Sequence, residues 1–244
     1  MSRHFDVLLR EMPPVSPKAP PSVVEACPSA PRKRLSVIDS EIARLVQQVF
    51  LMHEGEKTAT AVTFCGVNRG DGCSWVCARA SEALSECVSG RVCIVDADLR
   101  SPSLHDHFRV ENSAGLAEAM KNSAPLESFV RAAWNHRLWF VSAGAINGDP
   151  TSGVNAARLR ARISELRAAF DYVLVDAPPV GECGDGALLA QMTDGVVLVV
   201  GCNSTRRETA KAVKGSLEAA GVPILGTVLN KRTYPIPEAL YRRL

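Results

Sequence analysis

Three short segments of this chain carry residue types that can hold a phosphate and a divalent cation. Residues 62–74 read Val-Thr-Phe-Cys-Gly-Val-Asn-Arg-Gly-Asp-Gly-Cys-Ser. Gly66, Gly70 and Gly72 free the backbone to turn N–H groups toward an anion, and a helix starting just beyond adds the positive end of its dipole. Ser74 stands where a hydroxyl can ligate Mg2+. In the second segment, Val92-Cys-Ile-Val-Asp96-Ala-Asp98-Leu-Arg100, two carboxylates follow an apolar run. In the third, Tyr172-Val-Leu-Val-Asp176-Ala-Pro-Pro179, one carboxylate does. Carboxylates at strand ends can hold Mg2+ or its waters and can accept a hydroxyl proton. Any one of them can equally cap a turn. Three in order, each at the end of an apolar run, are hard to explain as turns alone.

One residue opposes this reading. A loop of this pattern carries a lysine before the serine, and here that position is Cys73. A neutral thiol cannot offset charge developing on a γ-phosphate. The loop therefore signals a fold more strongly than it signals catalysis.

The elements that must position these groups are legible in the same pattern. Expected strands are 61–65, 92–96, 138–142, 172–176, 196–200 and 224–229, most of them continuous apolar runs, as when both faces of a sheet are covered. Helical patterns fall at 74–87, 154–170, 187–192 and 205–220. Alternating strands and helices with right-handed crossovers imply a doubly wound, mostly parallel α/β sheet with its ligand at the carboxyl ends of the strands. Ahead of these, residues 39–52 form an amphipathic helix through Ile42, Leu45, Val46, Val49 and Phe50, with Asp39 or Ser40 able to cap it.

The bulk composition narrows the class. The 244 residues suffice for one sizeable domain and a tail. Residues 12–35 contain seven Pro and cannot build a core, so residues 1–35 read as a disordered Pro-rich tail and 36–244 as the folded domain. Net charge is +2 among 28 basic and 26 acidic residues, which calls for no nucleic acid partner. No apolar run approaches a membrane span, and the first residues lack the apolar core of a secretory signal, so the expected location is cytoplasmic. Eight Cys without CxxC pairs fit a reducing compartment. Cys73 and Cys77, one helical turn apart, read as packing residues rather than metal ligands. His105 and His107, which flank Asp106, read as surface or packing residues.

The order and wording of the three segments resemble the bacterial tyrosine kinases (BY-kinases) of capsule and exopolysaccharide assembly, within the MinD/ParA-type P-loop NTPases. Family members carry a Walker A loop, then a strand ending Asp-x-Asp-x-Arg, then one ending Asp-x-x-Pro. Here these are Gly66–Ser74, Asp96–Arg100 and Asp176–Pro179. The resemblance covers roughly residues 38–244 and continues through Gly184-Asp-Gly-Ala-Leu-Leu-Ala190, Asp194–Val200 and Gly226-Thr-Val-Leu-Asn230.

It implies ATP or ADP with Mg2+ as cofactors. Gly66, Gly70, Gly72, Cys73, Ser74 and Asn230 would be the nucleotide-binding positions, with Asn230 at the base-recognising asparagine. Ser74, Asp98 and Asp176 would lie around the metal, and Asp96, Asp98 and Asp176 would be the catalytic carboxylates. Glu41-Ile-Ala-Arg44-Leu-Val-Gln47 resembles the family's oligomerisation element with Gln47 at its last Arg, implying a homo-oligomer; Glu41 and Arg44 could also simply pair within one helix. The natural partner implied is the cytoplasmic segment of a membrane polysaccharide chain-length or export protein on a separate chain, which would recruit this protein to the inner face of the membrane.

The departures from the family shape the functional expectation. Besides Cys73, Asn68 stands where the wider group carries a second lysine, and Trp75 fills a usually small position. Arg69 is the nearby cation and reads as a solvated side chain. The family's C-terminal tyrosine cluster is reduced to Tyr234 and Tyr241, possible phosphoacceptors that read more strongly as anchors of a C-terminal segment. The expectation is a catalytically impaired, pseudokinase-like regulator of polysaccharide assembly. The alternatives are an active tyrosine autokinase and a MinD/ParA-like positioning ATPase.

Overall fold

The computed structural model describes residues 37–52, 58–122, 124–134, 136–145, 155–182 and 184–232. Among these, the continuous apolar runs become the strands of one seven-stranded sheet, ordered β3-β4-β2-β5-β1-β6-β7. The strands are β1 (Ala61–Gly66), β2 (Val92–Asp96), β3 (Val130–Ala132), β4 (Leu138–Val141), β5 (Tyr172–Ala177), β6 (Val196–Gly201) and β7 (Ile224–Asn230). All neighbours are parallel except β3, which runs antiparallel to β4 at one edge. β1, β2 and β5 are buried along nearly their whole length because helices cover both faces.

The helices are α1 (Val37–Val46), α2 (Cys73–Cys87), α3 (Leu104–Phe108), α4 (Leu116–Lys121), α5 (Ala156–Ala169), α6 (Asp185–Ala190) and α7 (Arg207–Ala219). Alternate strand residues sort into two cores. Val62, Phe64, Ile94 and Leu174 pack with α1, α2 and α3, while Cys65, Val95, Val173 and Val175 pack with α4 to α7. Asp96 and Asp176 follow Ile94 and Leu174 by two residues, so both carboxylates point to the α2 side.

Two sequence expectations are corrected. The first helix begins at Val37 and passes at Gln47–Leu51 into a π-helical turn, so Asp39 lies inside it. There Asp39 accepts from Arg79 of α2 at 2.6 Å, pinning the two helices together. Arg79 also pairs with buried Glu82, which in turn meets His107 at 3.0 Å, giving that histidine its packing role. The short elements α3, α4 and β3, and the 3-10 turn Leu126–Phe129, lie between expected elements, because each is too short to show a period. Tyr234 and Tyr241 lie outside the described residues, as do residues 1–36.

Candidate functional site: an anion loop facing buried carboxylates

β1 is the strand at which the chain changes direction. From β1 it crosses to β2 on one side, and from β5 it passes β1 to reach β6 on the other. Such a switch leaves a crevice at the carboxyl ends of the strands. The loop 66–74 lies in it and feeds directly into α2. Gly72 is the residue before the helix, in a left-handed conformation (φ 86°), and a Cβ there would run into the amide of Asn230. Gly70 is also left-handed, with φ 84°. Only glycine takes these conformations freely while Asn230 closes over the loop.

Two further residues hold the loop shut. Asn230, at the end of β7, donates from Nδ2 to the carbonyl of Asp71 at 2.9 Å. Asp71, only 2% exposed, accepts from the Asn68 amide at 2.9 Å and from the Thr205 hydroxyl at 3.0 Å, and Asn68 Nδ2 donates back to Thr205 at 3.1 Å. Neither Asp71 nor Thr205 stands at a defining position of a motif. An Asp between two glycines was the available signal, since such residues order turns through their side chains. Thr205 had none, because it reaches the loop only through the sheet order. Arg69 is not free in solvent. Its amide and Nε both donate to Glu182, at 2.8 and 3.3 Å, and its Nη1 lies 3.8 Å from Asp98.

The three strand-end carboxylates come together but differ in kind. Asp96 and Asp176 are register partners on β2 and β5. Asp96 Oδ2 accepts from the amides of Ser103 and Leu104 at 3.0 and 3.1 Å, so it caps the start of α3. Asp98 Oδ1 accepts from the amides of Arg100 and Ser101 at 3.2 and 3.1 Å, a turn cap as well. Arg100 reaches Asp185 at 3.2 Å and ties this segment to α6. Asp176 is 1% exposed; no backbone amide or cation reaches its oxygens, and only the Ser74 hydroxyl and the Cys73 thiol lie beside them. A buried carboxylate with so few donors is costly, so its place must be justified by something other than the apo fold.

Electrostatics sharpen the difference. Burial, then the neighbouring Asp96, push Asp176 well above the carboxylate range; the Ser74 hydroxyl and the Cys73 thiol beside it pull less strongly the other way. Burial raises Asp96 to about 7 despite its two amide donors. Burial, with Asp176, Cys65 and Cys77 nearby, pushes the Cys73 thiol well above its usual range, so it stays neutral at pH 7. No positive charge therefore comes from the lysine position.

The loop, Trp75, Asp98, Ser101, Ser103 and Lys231 line a crevice of about 350 Å3. The donor set fits Mg2+, which takes hard oxygens and completes its shell with water and phosphate. Ser74, Asp98 and Asp176 would hold it or its waters. Among the described residues no group of three His, Cys, Asp or Glu side chains could hold a metal unaided, so phosphate oxygens would have to complete the shell. The amides of Asn68, Arg69 and Asp71 are taken by Asp71, Glu182 and Asn68, so the start of α2 at Cys73–Trp75 is what the loop offers a phosphate.

The sheet order and the strand–loop–helix at β1 define the P-loop NTPase fold. No family model matches the chain. It is 31% identical over 140 residues to the tyrosine-protein kinase YwqD of Bacillus subtilis, a match spanning 57% of this chain but only 59% of YwqD. It is 29% identical over 209 residues to the tyrosine-protein kinase CpsD of Streptococcus agalactiae, spanning 81% of this chain and 90% of CpsD. Among solved structures, the chimerical protein CapA2B2 superposes with a TM-score of 0.75 at 24% identity, over 82% of this chain and 87% of that one. MinD from Pyrococcus horikoshii, complexed with Mg-ADP, superposes at 0.62 and 23% identity, over 75% and 76%. The chain is a relative of the bacterial tyrosine-protein kinases, on a P-loop fold they share with MinD.

Proposed function

We propose that this protein is a nucleotide-binding, kinase-like component of capsule or exopolysaccharide assembly whose phosphoryl transfer is impaired or lost. One observation carries the reading: Asp176, buried and reached by no amide or cation, sits beside Ser74 at the foot of the glycine loop, while the lysine position holds a neutral thiol. The amides at the start of α2, with a carboxyl group that Mg2+ would ionise, can hold a diphosphate in its ground state. The missing cation bears most on the transition state, where charge moves onto the outer phosphate. Binding would thus persist where turnover does not, and the protein would act as a regulator. Asn230, already fixed over the loop, is the proposed base-recognising residue.

The partner proposed from the resemblance is the cytoplasmic segment of a membrane polysaccharide chain-length or export protein. No helix among the described residues is long and apolar enough to cross a membrane. Glu41 and Arg44, 3.4 Å apart and both exposed on α1, are the proposed oligomer contact. Their mutual pairing on a solvated face contributes only a few tenths of a kcal/mol (~0.3) and leaves both available.

Calorimetric titration with Mg·ADP and Mg·ATP, followed by mass spectrometry of the purified protein, tests the reading. The expected result is measurable binding of both nucleotides without phosphotyrosine. Phosphotyrosine accumulating on incubation with Mg·ATP would establish an active autokinase instead. Absence of any nucleotide binding would refute the reading.

A further inference from the structure

Lys231 lies just beyond the last of the sequence motifs. It follows Asn230 at the end of β7 and lines the crevice in front of the loop. It also lines a second crevice, of about 500 Å3, together with Asn68, Asp71 and Arg206. The two crevices share Lys231 and the loop residues Asn68 to Asp71. Its backbone is left-handed, with φ 58°, an uncommon state for a residue with a side chain. That turn is imposed from both sides. The Asn230 carbonyl accepts from the Cys202 amide at 2.8 Å, and the Asn230 side chain holds the Asp71 carbonyl. The lysine stem is thereby laid against the loop, with Cε 3.7 Å from where a Cβ on Gly72 would be.

The charge environment singles this residue out. Arg69, the other cation lining the first crevice, is shared between Glu182 and Asp98. Lys231 has no ion pair among those found in the described residues. An ammonium on a flexible stem, free of a carboxylate and resting on the residue that precedes Cys73, can swing toward an anion on the loop. The loop lacks a charge one residue away, where Cys73 is held neutral.

The geometry points to Lys231 as a relocated phosphate-binding cation. We propose that it reaches across Gly72 to the phosphates of a nucleoside diphosphate or triphosphate and takes over, for binding, the charge missing at position 73. The inference rests on the nucleotide-binding reading and adds the residue that makes binding affordable without the loop lysine. Approach from the β7 side also differs from approach along α2. It should serve ground-state binding better than transfer.

A double-mutant cycle between positions 231 and 73 tests it, read as affinity for Mg·ADP and Mg·ATP at low salt. Lys231→Met should weaken both nucleotides about tenfold, the scale of one lost charge-assisted contact. Lys231→Arg should keep most of the affinity. In the Cys73→Lys background, Lys231→Met should cost about twofold or less, because the new lysine supplies the charge. Thermal melts without ligand should be unchanged by Lys231→Met, since the side chain is exposed. Wild-type binding unaffected by Lys231→Met would overturn this inference and leave the nucleotide reading standing. An equal loss in both backgrounds would overturn it too, because Lys231 would then serve some other part of the ligand. If the wild type binds neither nucleotide, both readings fall.

Discussion

Replacing Asp96 by Asn should make this protein more stable at alkaline pH and change its pH dependence. Asp96 is fully buried and is raised to about 7, against about 3.9 in an unfolded chain. Between those values the folded state holds a proton that the unfolded state has released. Its stabilising contribution is therefore complete below about pH 4 and is lost as pH rises through about 7. At 1.36 kcal/mol per unit, three units correspond to about 4 kcal/mol. Water entering the crevice reduces that figure, so about 2 kcal/mol is the working expectation. Asn keeps an acceptor oxygen for the amides of Ser103 and Leu104, and its NH2 can donate to Asp176, its register partner, which no backbone amide reaches. The variant thus keeps the α3 cap, loses a like charge and gains a donor. Urea unfolding at about pH 5 and about pH 8 measures the effect. The wild type should lose stability between them and Asp96→Asn should lose much less, the residual slope belonging to Asp176. Parallel slopes for the two proteins would refute the reasoning, since Asp96 would then be ionised in the fold at both pH values.

Other outcomes follow from the same site. Cys73→Lys should raise affinity for Mg·ATP more than for Mg·ADP, by about tenfold or more for ATP, because the added cation serves the outer phosphate; calorimetry reads it. Asp71→Ala removes the acceptor that joins Asn68 and Thr205 and should cost about 1–3 kcal/mol in urea unfolding, while weakening any nucleotide binding through a looser loop. At the opposite end of β1, burial raises Asp194, but the Ala61 and Thr60 amides and Arg167 together hold it below the usual carboxylate range. That contribution is present above about pH 4 and lost below it, so Asp194→Asn should destabilise the protein by about 1 kcal/mol at neutral pH and by little in acid. A truncation starting at Leu35 should keep the melting transition of the full chain, because the removed residues cannot contribute a core; a large loss of stability would show that they dock.

The sequence by itself determined the elements and the loop. Six of the seven strands were legible because a doubly covered sheet demands uninterrupted apolar runs, and α2 and its glycine turn because Gly70 and Gly72 mark backbone states few other residues take. It also located the missing charge, since Cys73 needs no fold to be recognised as a thiol. The short antiparallel β3 was not legible, because three residues of intermediate burial carry no period. What the carboxylates do was decided only by tertiary structure. Asp96, Asp98 and Asp176 read alike as strand-end acids, yet two cap turns through backbone amides and one receives no amide at all. That outcome depends on which amides the α3 segment and its preceding turn deliver to each oxygen. Arg69, read as solvated, is claimed by Glu182, 113 residues away in sequence. Thr205 and Lys231 gain their places for the same physical reason: β6 and β7 lie beside β1 in space but far from it along the chain, and long-range pairing leaves no local pattern.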